Sequence, residues 1–502
     1  MTTRKLRRLC RLPFVWACLQ VAGAGSELAA QEALGDALPV REIHLDNGMT
    51  VLVLPRGGAP TVSFVVRFAV GGVHEHVGTT GIAHLLEHML FKGTTSIGTS
   101  DIDSERGLFE RMDAAHDTLL RAHASGAATR IGELRARIEA LEDTARAYVI
   151  PNELDRILTE AGARGLNATT SSEATTYFVE LPANRVELWF ALEADRMSNP
   201  VFREFYAERD VVTEERRMRV DTAPTGLLYE QHLAAAFTMH PYGVPVVGYM
   251  SDLESLSRRD VESYYRRFYG PNNAVVAIVG DVDPDLVEAW AREYFASIPR
   301  GEDPPPVLAV EPEQHGERRV RVVWDAEPRL RIGWHVPSGV DDDAPAIAML
   351  ASVLTGGRTS RLHRRLVVDE QMVTGVYAST GPGTLFPQLF QIDVVPRNGQ
   401  SVERIEATIY EEIDRLVATG PEEQELERVR NQVAAGNVRR MTSNLGLAFQ
   451  IADSEALLGD WRETFRTAER LNAVTVEDVR RIAEEYLVER NRTVAVLDRA
   501  AR

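Results

Sequence analysis

The spacing of apolar residues changes period several times along the chain, and each change marks an element. "REIHLDNGMTVLVLPRGGAPTVSFVVRFAVGG", from Arg41 onward, holds alternating Val-rich runs joined at Asp46-Asn47-Gly48. That alternation around an Asn-Gly pair predicts a β-hairpin. "GIAHLLEHMLFKGT", residues 81–94, switches to helical spacing, with Ile82, Leu85, Leu86, Met89 and Leu90 as its apolar positions. From Asp101 to about Ile157 the chain is rich in Ala, Leu, Arg and Glu at helical spacing, broken near "ASGAA". This predicts a charged helical hairpin with a solvated outer face. "NATTSSEATTYFVELP" reads as strand, Arg185 to Met197 as helix, and the chain from about Phe205 as helix again. "VVAIVGDVD", after "YGPNNA", is a further strand.

"SIPRGEDPPPVLAVEPEQHGE" then breaks the pattern with prolines and acids and reads as a linker. Beyond it the order recurs: a Val-rich strand pair from Val320 to Val336, a helix from about Ala344, more strands, then helices. "RDVESYYRRFYGPNNAVVAIV" (259–279) and "EDVRRIAEEYLVERNRTVAVL" (477–497) align without a gap at an offset of 218. Asp260 then matches Asp478, Val261 matches Val479, and Asn273 matches Asn491. The predicted class is α+β, with two similar domains, each a mainly antiparallel sheet packed with helices. The predicted boundaries are 40–297, carrying the helical hairpin as an insertion at about 101–157, then the linker at 298–317, then 318–502.

Composition narrows the class. An apolar fraction of 44% and a charged fraction of 26% are those of a soluble globular protein. The net charge of −18 argues against nucleic acid or an anionic membrane surface as main partner. Residues 1–30 differ, with five basic residues up to Arg11, an apolar run from Leu12 to about Ala24, then small residues. That is the layout of a secretory signal, cleaved after Ala24 or Ala30, and it predicts an exported, periplasmic or secreted protein. Arg7-Arg8 offers a twin-arginine alternative, and Cys18 a lipid anchor that Trp16 fits poorly. Cys10 and Cys18 both lie in this segment. A processed chain would have no thiolate, so any zinc would be held by His, Glu or Asp.

The candidate chemistry sits on the 81–94 helix. His84 and His88 are four apart and share a face, with Glu87 beside them. H-x-x-E-H is the inverted zinc-peptidase pattern, and a zinc hydrolase needs a proton acceptor next to the metal-bound water. The competing reading is a buried helix whose histidines are merely hydrogen-bonded. A catalytic zinc takes three protein ligands. His74 and His76 lie in a Gly-rich loop, and His240 precedes a proline. In "FYAERDVVTEERRMRVD", Glu208 and Glu215 are seven apart on one helix face, with Val211 and Val212 between them on an apolar stripe and Glu214 off the line. Such carboxylates can equally be the polar margin of an amphipathic helix, and spacing alone does not choose among them.

"GIAHLLEHMLFKGT", "NATTSSEATTYF", "ERDVVTEERRM", "HPYGVPVVG" and "FYGPNNAVVAIVGDVD", in this order, resemble the pitrilysin family of zinc peptidases, which includes insulysin and the mitochondrial processing peptidases. The resemblance covers nearly the whole chain after the leader. It implies Zn2+ held by His84, His88 and Glu215, with Glu208 supporting the site and Glu87 as catalytic proton acceptor. It also implies that Asn167, Ala168, Thr169 and Thr170 form a substrate-facing edge strand, to which an extended peptide can add. The implied protein is an exported zinc metalloendopeptidase acting on unstructured peptides, built as half of a clamshell. Two features depart from the family pattern. The stretch from His88 to Glu215 is longer by about the size of the helical hairpin. The family's substrate-contacting Arg and Tyr fall on Val367 and Thr374, with Arg365 and Tyr377 nearby but out of register. The expectation is therefore a dimer, with a related subunit carrying that pair or with a second copy of the chain. The alternatives are a catalytically silent scaffold subunit, and a structural zinc site, which would need a fourth side chain.

Overall fold

The computed structural model describes residues 38–500. Residues 1–30, the expected secretory signal, lie outside them. The Asn-Gly turn closes the first hairpin: β1 (Arg41–His44) pairs antiparallel with β2 (Thr50–Pro55). Gly48 takes a φ of 92°, and the Asn47 amide donates to the carbonyls of Phe295 and Ile298, fixing the turn to the body of the fold.

Two sheets follow. The first has the order β1-β2-β6-β3-β5-β4, with β3 (Thr61–Phe68), β4 (Arg164–Thr170), β5 (Thr175–Pro182) and β6 (Ala274–Gly280). The second runs β7-β11-β8-β10-β9, with β7 (Arg318–Trp324), β8 (Arg329–Val336), β9 (Val373–Gly381), β10 (Gln388–Pro396) and β11 (Arg492–Arg499). All pairs are antiparallel except β2 with β6 and β7 with β11. Setting β1 aside, the two orders correspond strand for strand, as the repeat predicts.

The repeat has a physical basis in its matched polar residues. Asp260 closes a capping box with Ser257 on helix Arg258–Phe268, and Asp478 does so with Thr475 on helix Val476–Tyr486. Each satisfies free N–H groups at a helix start. Asn273 donates to the carbonyls of Phe268 and Ala69. Asn491 donates to those of Tyr486 and His335. Each asparagine thus ties a helix exit to the neighbouring strand at the point where the chain enters its sheet.

A second correspondence was not legible in the sequence. Helix Pro224–Ala236, from the first half, places Leu228 against Val322, Ala495 and Leu497 of the second sheet. Helix Asn444–Leu458, from the second half, buries Leu447, Ala448, Ile451 and Ala452 against Leu52, Leu54, Val65, Ala277 and Val279 of the first. The halves exchange helices, so each sheet has one face covered by residues from across the linker.

The charged segment forms two helices, Ile102–Ala124 and Ala128–Ala145, reversed at Gly126 with φ 68°. The outer face is solvated, as the Arg130–Glu133 pair illustrates. The inner face is not an appendage, because Leu108, Phe109, Met112, Leu134, Ile138 and Leu141 belong to the main core. Glu105, fully buried, meets the buried guanidinium of Arg203, which also donates to the carbonyls of Lys92, Thr94 and Ile97.

Candidate metal centre

Two helices build the site. The motif helix, Ile82–Met89, begins at Gly81, whose φ of 87° a side chain would resist. With no side-chain cap there, buried Glu75 accepts from the N–H groups of Gly81 (2.8 Å) and Ala83 (2.9 Å). The Gly-rich loop therefore serves the motif helix through its glutamate, while His74 and His76 stand apart from the metal-ligating group. The apolar face of the helix, Ile82, Leu85, Leu86 and Met89, is in the core.

The ligand helix, Phe205–Arg216, starts at Glu204 with φ 55°, and its Ala207 N–H donates to Glu142 of the helical hairpin. It ends in a π-turn, Arg217–Asp221. Buried Arg216 locks that end by donating to Glu230 and to the Gly248 carbonyl. Val212 is fully buried, but Val211, expected beside it on the apolar stripe, is 52% exposed. Adjacent helical positions diverge by about 100°, so only one of the two reaches the core.

The helices bring His84, His88 and Glu215 together, the one group among the described residues whose donor atoms are grouped to hold a metal ion. Glu215 Oε2 lies 3.7 Å from His84 Nε2 and 3.6 Å from His88 Nε2. Ligands about 2.1 Å from one tetrahedral ion stand about 3.4 Å apart, so both separations from Glu215 fit zinc, and all three donor atoms lie within 4.8 Å of one another. Glu214 points elsewhere and pairs with Arg217 at the surface.

The surroundings bear on the protonation of His84 and on the tautomer of His88. Burial, then the nearby His88 and Arg219, pushes His84 down to about 3, which keeps it neutral. His88 Nδ1 lies 2.9 Å from Glu208 Oε1, and Lys92 Nζ is 2.6 Å from Glu208 Oε2. Burial alone would raise the Glu208 carboxyl, but the hydrogen bonds from His88 and Lys92 outweigh it and hold it down at about 2. An ionised Glu208 accepts the Nδ1 proton and leaves Nε2 of His88 free to ligate. Arg219 holds Glu215 Oε1 at 2.7 Å, leaving Oε2 between the histidines.

Glu87 is 9% exposed, and burial raises its carboxyl above the usual range although the Thr170 hydroxyl donates to its Oε2. Thr170 ends β4, the outermost strand of the first sheet, which pairs with β5 alone. Along that edge Asn167 and Thr169 are exposed and Ala168 is buried. Thr170, expected at the substrate edge, is thus bound to Glu87, the expected proton acceptor. In the second half, Arg365 is occupied by Glu370, Glu411 and Glu412, while Tyr377 is 64% exposed on the edge strand β9. An arginine held by three carboxylates is not free to stand in for the family's substrate arginine. Lys92 escaped the sequence reading, because it lies three residues past the end of the motif helix at Met89, where helical spacing no longer places a side chain.

Comparison with known families then decides what the chain is. Residues 51–107 and 143–249 match the model described as "Insulinase (Peptidase family M16)", and 255–433 match "Peptidase M16 inactive domain". Together these matches span well over half of the chain. The chain belongs to peptidase family M16. The interval unmatched in the first model, 108–142, falls inside the helical hairpin. The chain is 25% identical over 474 residues to a zinc protease of Helicobacter pylori named PqqE, spanning 92% of this chain and 93% of that one. The crystal structure of a protease from Helicobacter pylori superposes with a TM-score of 0.78 at 24% identity, covering 92% of this chain and 99% of that one. The periplasmic protease PqqL of Escherichia coli superposes with a TM-score of 0.67 at 17% identity, over 91% of this chain but 47% of that one. The fold is therefore the M16 fold, at the length of one half of the longer protein.

Proposed function

We propose that this M16 protein is an exported zinc metalloendopeptidase that cleaves unstructured peptide segments. The observation that carries this reading is the convergence of His84, His88 and Glu215 beside a carboxylate, Glu87, tethered to an unpaired strand edge. A zinc ion held by these three side chains would supply a Lewis acid to water and to the scissile carbonyl. The chain's own residues supply the rest. β4 offers free main-chain groups, so an extended peptide adds to it as a further strand, its register set past Asn167 and Thr169. A segment already paired inside a folded domain has no free main-chain groups to add to it. Glu87, with Oε2 held by Thr170, takes a proton from the attacking water on Oε1 and delivers it to the leaving amine. Its burial favours that role, because a carboxyl raised above its usual range is a better proton acceptor at neutral pH. Glu208 keeps His88 in the tautomer that ligates, and Lys92 keeps Glu208 charged.

A silent scaffold would have no use for a buried proton acceptor held toward the ligands. A closed structural site would require a fourth ligand, and no further His, Cys, Asp or Glu joins the group among the described residues. With Val367 and Thr374 where the family's Arg and Tyr stand, and Arg365 already occupied, the working form pairs this chain with a related subunit that supplies them. A homodimer is the second arrangement, with Tyr377 exposed for the role but Arg365 usable only on release from its carboxylates. The test is metal analysis of the purified chain together with cleavage of a mixed peptide pool, alone and with the related subunit added. One zinc per chain and chelator-sensitive cleavage that rises with the partner support the proposal. A zinc-free active enzyme, or full activity from a dilute monomer, would refute its respective parts.

A further inference from the structure

The turn that carries Thr170 to Glu87 is held from the other half of the molecule. Between β4 and β5 the chain reverses at Ser171–Ala174, closed by Ser171 N–H to the Ala174 carbonyl at 2.8 Å. On one side it lies against Gly71–Val73, where the N–H groups of Gly72 and Val73 donate to the Ser171 and Ser172 carbonyls. The approach is close enough that a Cβ on Gly71 would stand 2.3 Å from the Ser171 oxygen. On the other side Glu173 reaches into the loop joining β9 to β10. Its Oε2 accepts from Thr384 N–H at 2.8 Å and its Oε1 from Leu385 N–H at 2.7 Å, and the Tyr242 hydroxyl also donates to Oε1. Glu173 is 6% exposed and Tyr242 1%. Gly383 leaves room for the Tyr242 ring, since a Cβ there would meet the hydroxyl oxygen at 2.2 Å. A buried carboxylate with three donors, two of them backbone groups from the second half, is a rigid attachment. It also accounts for two sequence stretches the metal site leaves unused, "SSEATT" and "HPYG".

We infer that Glu173 is a positioning residue, through which the β9–β10 loop of the second half fixes the turn after β4, and so the Thr170 hydroxyl that orients Glu87. The inference rests on the peptidase reading, in which Glu87 moves the proton. Docking of the second half then bears on the rate of the chemical step as well as on substrate grip. Glu173→Gln keeps the volume but turns an amide N–H₂ toward backbone N–H donors, so the attachment fails on at least one side.

The experiment is a double-substitution cycle on the zinc-loaded full chain, with Glu173→Gln, Thr170→Val and both together. Glu173→Gln should lower kcat by about 10- to 100-fold, with KM and zinc content little changed, because the reacting groups are misplaced and the ligands untouched. The double variant should be no slower than the slower single variant, since both act on the same hydrogen bond. Losses in kcat that multiply would overturn the inference, as would unchanged kcat in a Glu173→Gln protein that is merely less stable. Hydrogen exchange gives a reading independent of cleavage: exchange should quicken over 167–175 and 383–386 and stay constant over the ligand helix. Unaltered protection at 167–175 would refute the positioning role even in a chain that cleaves nothing, so the two proposals fail separately. Should Glu173→Gln not fold, Tyr242→Phe removes one donor and keeps the ring; a smaller fall in kcat at constant KM is expected, and no fall counts against the inference.

Discussion

Shortening Ile451 to alanine should damage the half of the molecule to which it does not belong in sequence. Ile451 is fully buried on helix Asn444–Leu458, in the cluster formed with Leu52, Leu54, Val65, Ala277 and Val279 of the first sheet. The change removes three carbon groups, about 2.4 kcal/mol of transfer free energy at about 0.8 kcal/mol each. The facing residues lie on sheet strands that cannot collapse inward, so a cavity term adds to this, giving about 3–4 kcal/mol. Urea unfolding of the Ile451→Ala protein measures the loss. Hydrogen exchange locates it, with β2, β3 and β6 losing protection before β8 and β10. A loss below about 1 kcal/mol, or one confined to the second sheet, would show that the halves do not exchange helices as described.

Further outcomes follow from single contacts. Glu105→Ala leaves the buried Arg203 guanidinium without its carboxylate and should cost about 3–5 kcal/mol in the same unfolding assay. Lys92→Met removes the cation that holds Glu208 ionised, and zinc affinity by competition titration should fall about 10- to 100-fold. His232 is fully buried against Gly333 with no hydrogen-bond partner for either ring nitrogen among the described residues, and burial, then Arg331 and His335, lowers it to about 3. A histidine depressed in the folded state contributes its stability above its ordinary value near 6.5 and loses it as pH falls, at about 1.4 kcal/mol per unit. The parent should therefore lose on the order of 2 kcal/mol more than His232→Leu between pH 6.5 and 5; equal slopes would contradict this.

Much of the architecture was readable because local chemistry specified it. Asp46-Asn47-Gly48 gave the first hairpin, and the 218-residue offset gave the repeat, since Asp260, Asp478, Asn273 and Asn491 do the same work at the same point of each half. What stayed hidden was the identity of partners. An amphipathic helix announces that one face is buried but not against which sheet, so the exchanged helices left no sequence signal. For the same reason Glu208, Glu214 and Glu215 could not be ranked by spacing, because the choice depends on how the ligand helix crosses the motif helix. Thr170 was placed at the substrate-facing edge by the family resemblance; its bond to Glu87 spans 83 residues and has no local trace in the sequence.

The central claim is that His84, His88 and Glu215 hold the metal while Glu87 handles the proton. It is tested most directly by measuring zinc content and peptide cleavage side by side in the parent, Glu87→Gln and Glu215→Gln proteins. The account predicts one zinc per chain and no cleavage in Glu87→Gln, and loss of both zinc and cleavage in Glu215→Gln. A Glu87→Gln protein that still cleaves, or a Glu215→Gln protein that keeps its zinc and its activity, would contradict it.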